Sequence, residues 1–230
     1  MCGIFGVISK TTFADLEMFK ELGEANTIRG NLGFGGVSVT YHQPEGRSGN
    51  VFRFLAPFNP VYVPDEPAHL LLGHVRAPTG GQTQNPREIH PFQSKEFLLA
   101  HNGLLLNHDR FPDWRVNPLI SVDSQVIVGG IQYHRNSGAS ILTAIKETVQ
   151  SLEGQQACWL HDMPDGGVYL WRVMSPIYVG IHGENLCFSS VETHRTYTLL
   201  REGVIYRYDK QSHGLQPTES FTYYNPYQLQ

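Results

Sequence analysis

The chain has 230 residues, of which 40% are hydrophobic and 17% charged, a balance that excludes a disordered or fibrous protein. A chain this long hides roughly 70–75% of the surface its unfolded form exposes, so it folds without covalent staples. Seventeen Lys and Arg against twenty-one Asp and Glu leave a formal charge of −4 with no basic blocks, which argues against an electrostatic grip on nucleic acid.

Cys2 to Ser9 reads as a buried strand. Thr12 followed three residues later by Asp15 has the pattern of a capping box, and Phe13, Leu16, Phe19 and Leu22 then give a helical stripe. The glycine-rich run from Arg29 to Gly36 leads into Val37, Val39 and Tyr41, which alternate as in a strand. Residues 43–67 are punctuated by Pro and Gly and predict loop, with a short strand around Val51–Leu55. Strands are predicted at His69–Val75 and Phe97–His101, with a loop over 76–96 between them. Val122, Val126, Ile127 and Ile131 predict one helix; Ile141, Ile145, Val149 and Leu152 predict another that stops at Gly154. Short β-rich runs follow at Ala157–His161, Val168–Val173, Ile177–Ile181, Leu186–Ser189 and Val204–Tyr208, read as a meander. This order lacks the steady strand–helix alternation of a doubly wound sheet and fits a layered α+β protein. No linker splits it, so residues 1–230 are expected to form a single domain that closes on an aromatic tail at about 217–230.

No apolar stretch reaches the ~18 residues of a membrane-spanning helix, and no membrane partner is expected. The apolar start lacks a basic lead and a cleavage site, and Lys10 ends it early, unlike a secretory signal. Cys2, Cys158 and Cys187 cannot all pair and do not space like a zinc site, so a cytoplasmic location is expected. His69 and His74, five apart on a strand, face opposite ways and make a poor metal pair.

If Met1 is removed, Cys2 becomes the terminal residue and carries both a nucleophile and a base. An unperturbed thiol (pKa ~8.5) and α-amine (~7.7–8.0) are nearly matched, so the proton moves from sulfur to nitrogen at little cost near neutral pH. From position alone, a buried strand cysteine is the plain alternative.

The surroundings favour the reactive reading. Met1-Cys2-Gly3-Ile4-Phe5-Gly6 resembles the start of the class II glutamine amidotransferases, which are N-terminal-nucleophile hydrolases. The resemblance recurs at Gly73–Gly81, at Asn85 with His90-Pro91-Phe92, at Ala100-His101-Asn102-Gly103, at Ser121-Val122-Asp123-Ser124, at Leu186–Glu192 and at Leu200–Ile205. It implies a four-layer αββα sandwich of two mainly antiparallel sheets. It also implies that Cys2 attacks the side-chain amide of L-glutamine, releasing ammonia and leaving a γ-glutamyl thioester for water to hydrolyse.

Arg76 offers a planar fork for the substrate carboxylate, with Thr79 adding a hydroxyl, and Asp123 supplies the countercharge for its ammonium. The Asn102 amide and Gly103 N–H, at a strand end, face the tetrahedral oxyanion. An exposed loop arginine, a helix-dipole aspartate and an Asn-Gly hairpin turn are the plainer readings of these positions. Arg29 is expected to steady the Cys2 region, and His101 to support Asn102 structurally. Ala77 stands where the family commonly has an aromatic residue, and Leu32 where it often has Asp. The chemistry requires no cofactor and no metal. With no synthase segment after the domain, the ammonia is expected to pass to a synthase on a separate chain. A free hydrolase of γ-glutamyl amides and a catalytically silent binding module are the alternatives.

Overall fold

The computed structural model describes residues 2–10, 12–42, 46–77 and 85–225. In chain order the elements begin with β1 (Gly3–Ser9), α1 (Leu16–Asn26), β2 (Gly33–His42), β3 (Gly46–Phe54) and β4 (Leu70–Arg76). Next come β5 (Phe92–Gln93), β6 (Phe97–Leu105), α2 (Gln125–Asn136), α3 (Ile141–Ser151), β7 (Gly154–Asp162) and β8 (Val168–Val173). The last are β9 (Tyr178–His182), β10 (Asn185–Ser189), β11 (Thr198–Leu199), β12 (Val204–Asp209) and β13 (Gly214–Ser220). The chain divides into two compact units, each built on one sheet.

The first unit comprises Met1–Pro91, Pro176–Leu200 and Lys210–Gly214. Its sheet has the order β11-β9-β10-β1-β4-β2-β3, with β1 at the centre and buried along its whole length. β1 runs antiparallel to both neighbours, so that Phe5 faces Gly73 on β4 and Ser189 on β10. Phe5 and Val7 pack with Phe19 and Leu22 of α1, the Phe5 and Phe19 ring centroids 4.9 Å apart. Burying each such side chain contributes roughly 1.5–3 kcal/mol. Gly73 is required here, because a Cβ would come within 2.5 Å of the Phe5 ring.

The second unit comprises Phe92–Ser175, Arg201–Asp209 and Leu215–Gln230, with sheet order β13-β12-β8-β7-β6-β5. Alternate residues of β6 (Phe97, Leu99, Leu105) join Val126, Ile127 and Ile131 of α2 and Ala144, Ile145 and Val149 of α3 in one apolar core. Both helices bury most of the stripe that predicted them, with Val122 falling ahead of α2, Leu152 just past α3, and Val122 and Ile141 half-buried. Phe221 is buried in this core, Tyr223 packs on it, and the Tyr223 hydroxyl donates to Glu202 at 2.6 Å. Of the aromatic tail, Tyr227 lies outside the described residues.

Four sequence expectations are corrected. Asp15, not Thr12, caps α1: its carboxylate accepts from Met18 N at 3.0 Å, while Ala14 N–H pairs with Ala68 O and keeps the preceding chain extended. β3 is longer than the predicted segment; its first five residues are exposed at the sheet edge and give no alternating pattern to read. β6 does not end at His101 but continues through Asn102 and Gly103, because β7 supplies partners for both. The late strands are not one meander: β9, β10 and β11 join the first sheet, and β7, β8, β12 and β13 the second.

Candidate active site

Three of the predicted residues assemble in the first unit. Cys2 precedes β1 and is 8% exposed. Because Gly3 pairs with Val75, Cys2 falls beside the end of β4, where the Ala77 N–H donates to Sγ at 3.4 Å. Arg29 Nε donates to the Cys2 carbonyl at 2.8 Å. Burial lowers the Arg29 pKa, and its electrostatic interactions with Cys2 and Tyr178 act in the opposite direction. Gly30 lies flat on the same place: a Cβ would sit 2.4 Å from Ala77 N and 2.5 Å from the Arg76 carbonyl carbon. Leu32 N–H donates to the Arg76 carbonyl at 2.9 Å. At the two departures from the family pattern, Leu32 and Ala77, the contacts are therefore made by backbone groups that do not depend on side-chain identity.

Arg76 ends β4 and is only 5% exposed, which excludes the plain reading as a surface loop arginine. Its Nη2 donates to Glu88 Oε2 at 3.2 Å, while Nη1 is buried with no hydrogen-bond partner among the described residues. Glu88 stands in a short helical turn, Pro86–Glu88, capped by the Asn85 side chain, which accepts from Arg87 N at 3.0 Å. A buried cation with one neutralising partner and one unused nitrogen suits a second, external carboxylate. Thr79 lies outside the described residues.

The other three residues belong to the second unit. Asn102 is fully buried and pairs with Ala157; Gly103 pairs with Gln156. Gly103 tolerates no side chain, since a Cβ would lie 1.9 Å from Gln155 O and 2.5 Å from His101 Nε2. Asp123 falls just ahead of α2, not in its first turn, and its Oδ2 accepts from Leu105 N at 2.7 Å, tying it to the strand that carries Asn102 and Gly103. His101 Nδ1 lies 2.8 Å from Ser124 Oγ, and Nε2 lies 3.0 Å from Gln155 O. Burial lowers the His101 pKa, with Asp123 and the Gln155 carbonyl acting the other way.

Sequence reasoning missed Glu88, Ser124 and the serines that brace the first strand. Ser190 Oγ accepts from Ile4 N at 3.1 Å, and Ser189 Oγ accepts from Asn26 Nδ2 at 2.9 Å. Ser124, Ser189 and Ser190 lie inside segments that carry the resemblance; Glu88 carries no local signal. The three cysteines are buried and none is in a disulfide. Among the described residues no group of three or more His, Cys, Asp or Glu is placed to hold a metal ion, and no helix is long and apolar enough to cross a membrane. An open cavity of about 510 Å³ beside α1, lined by Met18, Leu22, Ile28, Val191, His194 and Tyr197, contains none of the predicted residues.

No family model matches the chain. Over 144 residues (57% of the chain) it is 30% identical to a glutamine–fructose-6-phosphate aminotransferase (isomerizing) of Vibrio vulnificus (strain YJ016), covering 23% of that protein. Over 116 residues (48%) it is 32% identical to the enzyme of the same name from Staphylococcus aureus (strain Mu50), covering 19% of it. The structure of a glutamine phosphoribosylpyrophosphate amidotransferase from B. subtilis superposes with a TM-score of 0.71 at 21% identity, over 96% of this chain and 49% of that one. A glutamine aminotransferase class-II domain protein from Silicibacter pomeroyi superposes at 0.57 and 13% identity, over 96% of this chain and all of that one. In the matched residues and in fold the chain is similar to class II glutamine amidotransferase domains.

The structural likenesses show the fold, two antiparallel sheets with few helices, as the motifs led one to expect. The chain matches about a fifth to a quarter of the curated relatives' length and about half of the B. subtilis enzyme.

Proposed function

We propose that this domain hydrolyses the side-chain amide of L-glutamine. The observation that carries the reading is the first-unit cluster: the Cys2 thiol receives the N–H of the residue that follows a buried arginine, and one nitrogen of that arginine has no partner among the described residues. A nucleophile and a carboxylate anchor on adjacent backbone suit a small amino-acid substrate.

In the reaction, Cys2 leads the mature chain and its α-amine takes the thiol proton. Sulfur attacks the amide carbon, and the Asn102 side chain and Gly103 N–H donate to the oxyanion. Removal of one such donor typically costs about 2.7–4 kcal/mol of barrier. The tetrahedral species collapses, the α-ammonium protonates the departing nitrogen, and ammonia leaves. Water then cleaves the γ-glutamyl thioester to glutamate. Arg76 and Thr79 hold the substrate carboxylate and Asp123 its ammonium, while Arg29 fixes the Cys2 carbonyl from behind.

The ammonia passes to a synthase, and an acceptor on a separate chain is part of this reading. Its support is chemical: a glutaminase without an acceptor discards its product. The test is ammonia and glutamate release from glutamine, with Cys2→Ala as the control. Turnover abolished by that change supports the reading, and unchanged turnover overturns it. Equal turnover alone and when mixed with a co-purifying synthase would overturn the coupling.

A further inference from the structure

His101, Ser124 and Asp123 make contacts that a single hydroxyl proton cannot serve in every direction. His101 Nε2 lies 3.0 Å from the Gln155 carbonyl oxygen, and a carbonyl only accepts, so Nε2 carries a proton. In a neutral imidazole, Nδ1 is then an acceptor, and the Ser124 hydroxyl 2.8 Å away must donate to it. No proton remains on Ser124 Oγ for Asp123 Oδ1, 3.3 Å away. In a charged imidazole both nitrogens donate, and the hydroxyl proton turns onto the carboxylate instead.

Three observations select the neutral arrangement. The Ser124 contact to His101 is half an ångström shorter than the one to Asp123. His101 is 1% exposed, and burial holds its pKa below the ordinary value. Ser124 occupies the N-cap position of α2, yet its side chain makes no capping bond, so the hydroxyl is not spent there. The titratable groups facing His101 are Asp123, ahead of α2, and Cys158, its partner across the ladder on β7. Burial pushes the Cys158 thiol well above its usual range, which leaves Asp123 as the charged one.

We propose that His101 is a positioning residue that draws the Ser124 hydroxyl proton away from Asp123, leaving Asp123 Oδ1 as an open acceptor for the ammonium of the amino-acid substrate. The other oxygen, Oδ2, is held by the Leu105 N–H at 2.7 Å, so the carboxylate is oriented through one oxygen and offered through the other. This role rests on the proposed binding of the substrate amine by Asp123. Acidification that charges His101 turns the hydroxyl onto Asp123 and weakens glutamine binding.

Two measurements on the full chain test it. Long-range proton–nitrogen correlation on ¹⁵N-histidine-labelled protein at neutral pH reads the tautomer directly. A neutral ring with its proton on Nε2 is expected; a proton on Nδ1 overturns the proposal. Kinetics supply the second readout. His101→Gln keeps an N–H donor for the Gln155 carbonyl but places its only acceptor, Oε1, on the distal carbon instead of at the Nδ1 position beside Ser124. The KM for glutamine is expected to rise roughly five- to tenfold with kcat changed less than about twofold, and Ser124→Ala added to it restores KM. Competition by the glutamine analogue lacking the α-amine stays unchanged in His101→Gln. A KM rise that persists in the double variant, or that extends to the amine-free analogue, refutes the role. If the unsubstituted protein turns over no glutamine, the proposed function fails, whereas the spectrum still decides the proton assignment.

Discussion

Replacing Glu88 by glutamine removes one negative charge from beside a buried guanidinium while preserving the shape of the site. The Arg76–Glu88 contact is 3.2 Å, and the two side chains are 7% and 11% exposed. At an effective dielectric constant of about 20, the attraction at that distance is about 5 kcal/mol. Both groups lost water to form it, so the net worth of the pair is smaller, but a charge left behind without its partner costs about 3–5 kcal/mol. Glutamine keeps a neutral acceptor for Nη2, which places the expected loss near the lower end, about 3 kcal/mol. For a chain of this size that lowers Tm by roughly 6–12 °C. Urea and thermal unfolding at neutral pH measure it, and a double-mutant cycle with Arg76→Met isolates the coupling. A carboxylate ligand such as L-glutamate, if Arg76 binds it, recovers part of the loss in Glu88→Gln. An unfolding free energy within about 0.5 kcal/mol of the unsubstituted protein would show that Glu88 does not compensate Arg76, and the anchor assigned to Arg76 would lose its physical basis.

Other consequences are open to the same methods. Gly103→Ala forces a Cβ against the Gln155 carbonyl at 1.9 Å, so β6 and β7 must part; a loss of about 3 kcal/mol or more is expected by thermal melting, with a neutral result contradicting the strand register. Asp162 is 4% exposed, and its pKa is raised by burial first and then by Asp165 and Glu96, against the opposing Asp165 N–H bond and Arg135. A raised native pKa contributes stability only in acid and loses it as pH rises, so Asp162→Asn should stabilise the protein at neutral pH and lose that advantage in acid. Burial lowers the pKa of His69, His101 and His213. The unfolded chain therefore binds more protons below pH ~6.5, and stability should be full above that value and fall as pH drops through it towards the lowered native values. Urea midpoints across that interval check the slope, which His101→Gln should flatten.

Much of the fold was legible because periodic burial writes itself into local sequence. Phe19 and Leu22 mark the buried stripe of α1, and Cys2 to Ser9 marks β1, since burial on both faces leaves Ser9, at its end, as the one hydroxyl in the strand. The errors fell where a distant partner decides. Asn102-Gly103 looks like a turn, and only the backbone of Ala157 and Gln156 keeps it extended. Nothing local to Leu186 or Val204 says which sheet each strand enters; the pairing of β10 with β1 and of β12 with β8 is a tertiary choice. In the site, Arg29 was readable as support because it lies near a motif, and its bond to the Cys2 carbonyl gives that support a geometry. Glu88 was not readable, since a carboxylate that neutralises a buried arginine looks like a surface residue in a string of letters, and Ser124, though inside a segment that carries the resemblance, shows its contact with His101 only in three dimensions.

Covalent capture by an electrophilic glutamine analogue, followed by intact-mass measurement and peptide mapping, tests the central chemistry in one step. A single adduct on Cys2 of a chain lacking Met1, blocked by excess glutamine, is the predicted outcome. An adduct on Cys158 or Cys187 instead, or glutamine turnover by protein that still retains Met1, would contradict it.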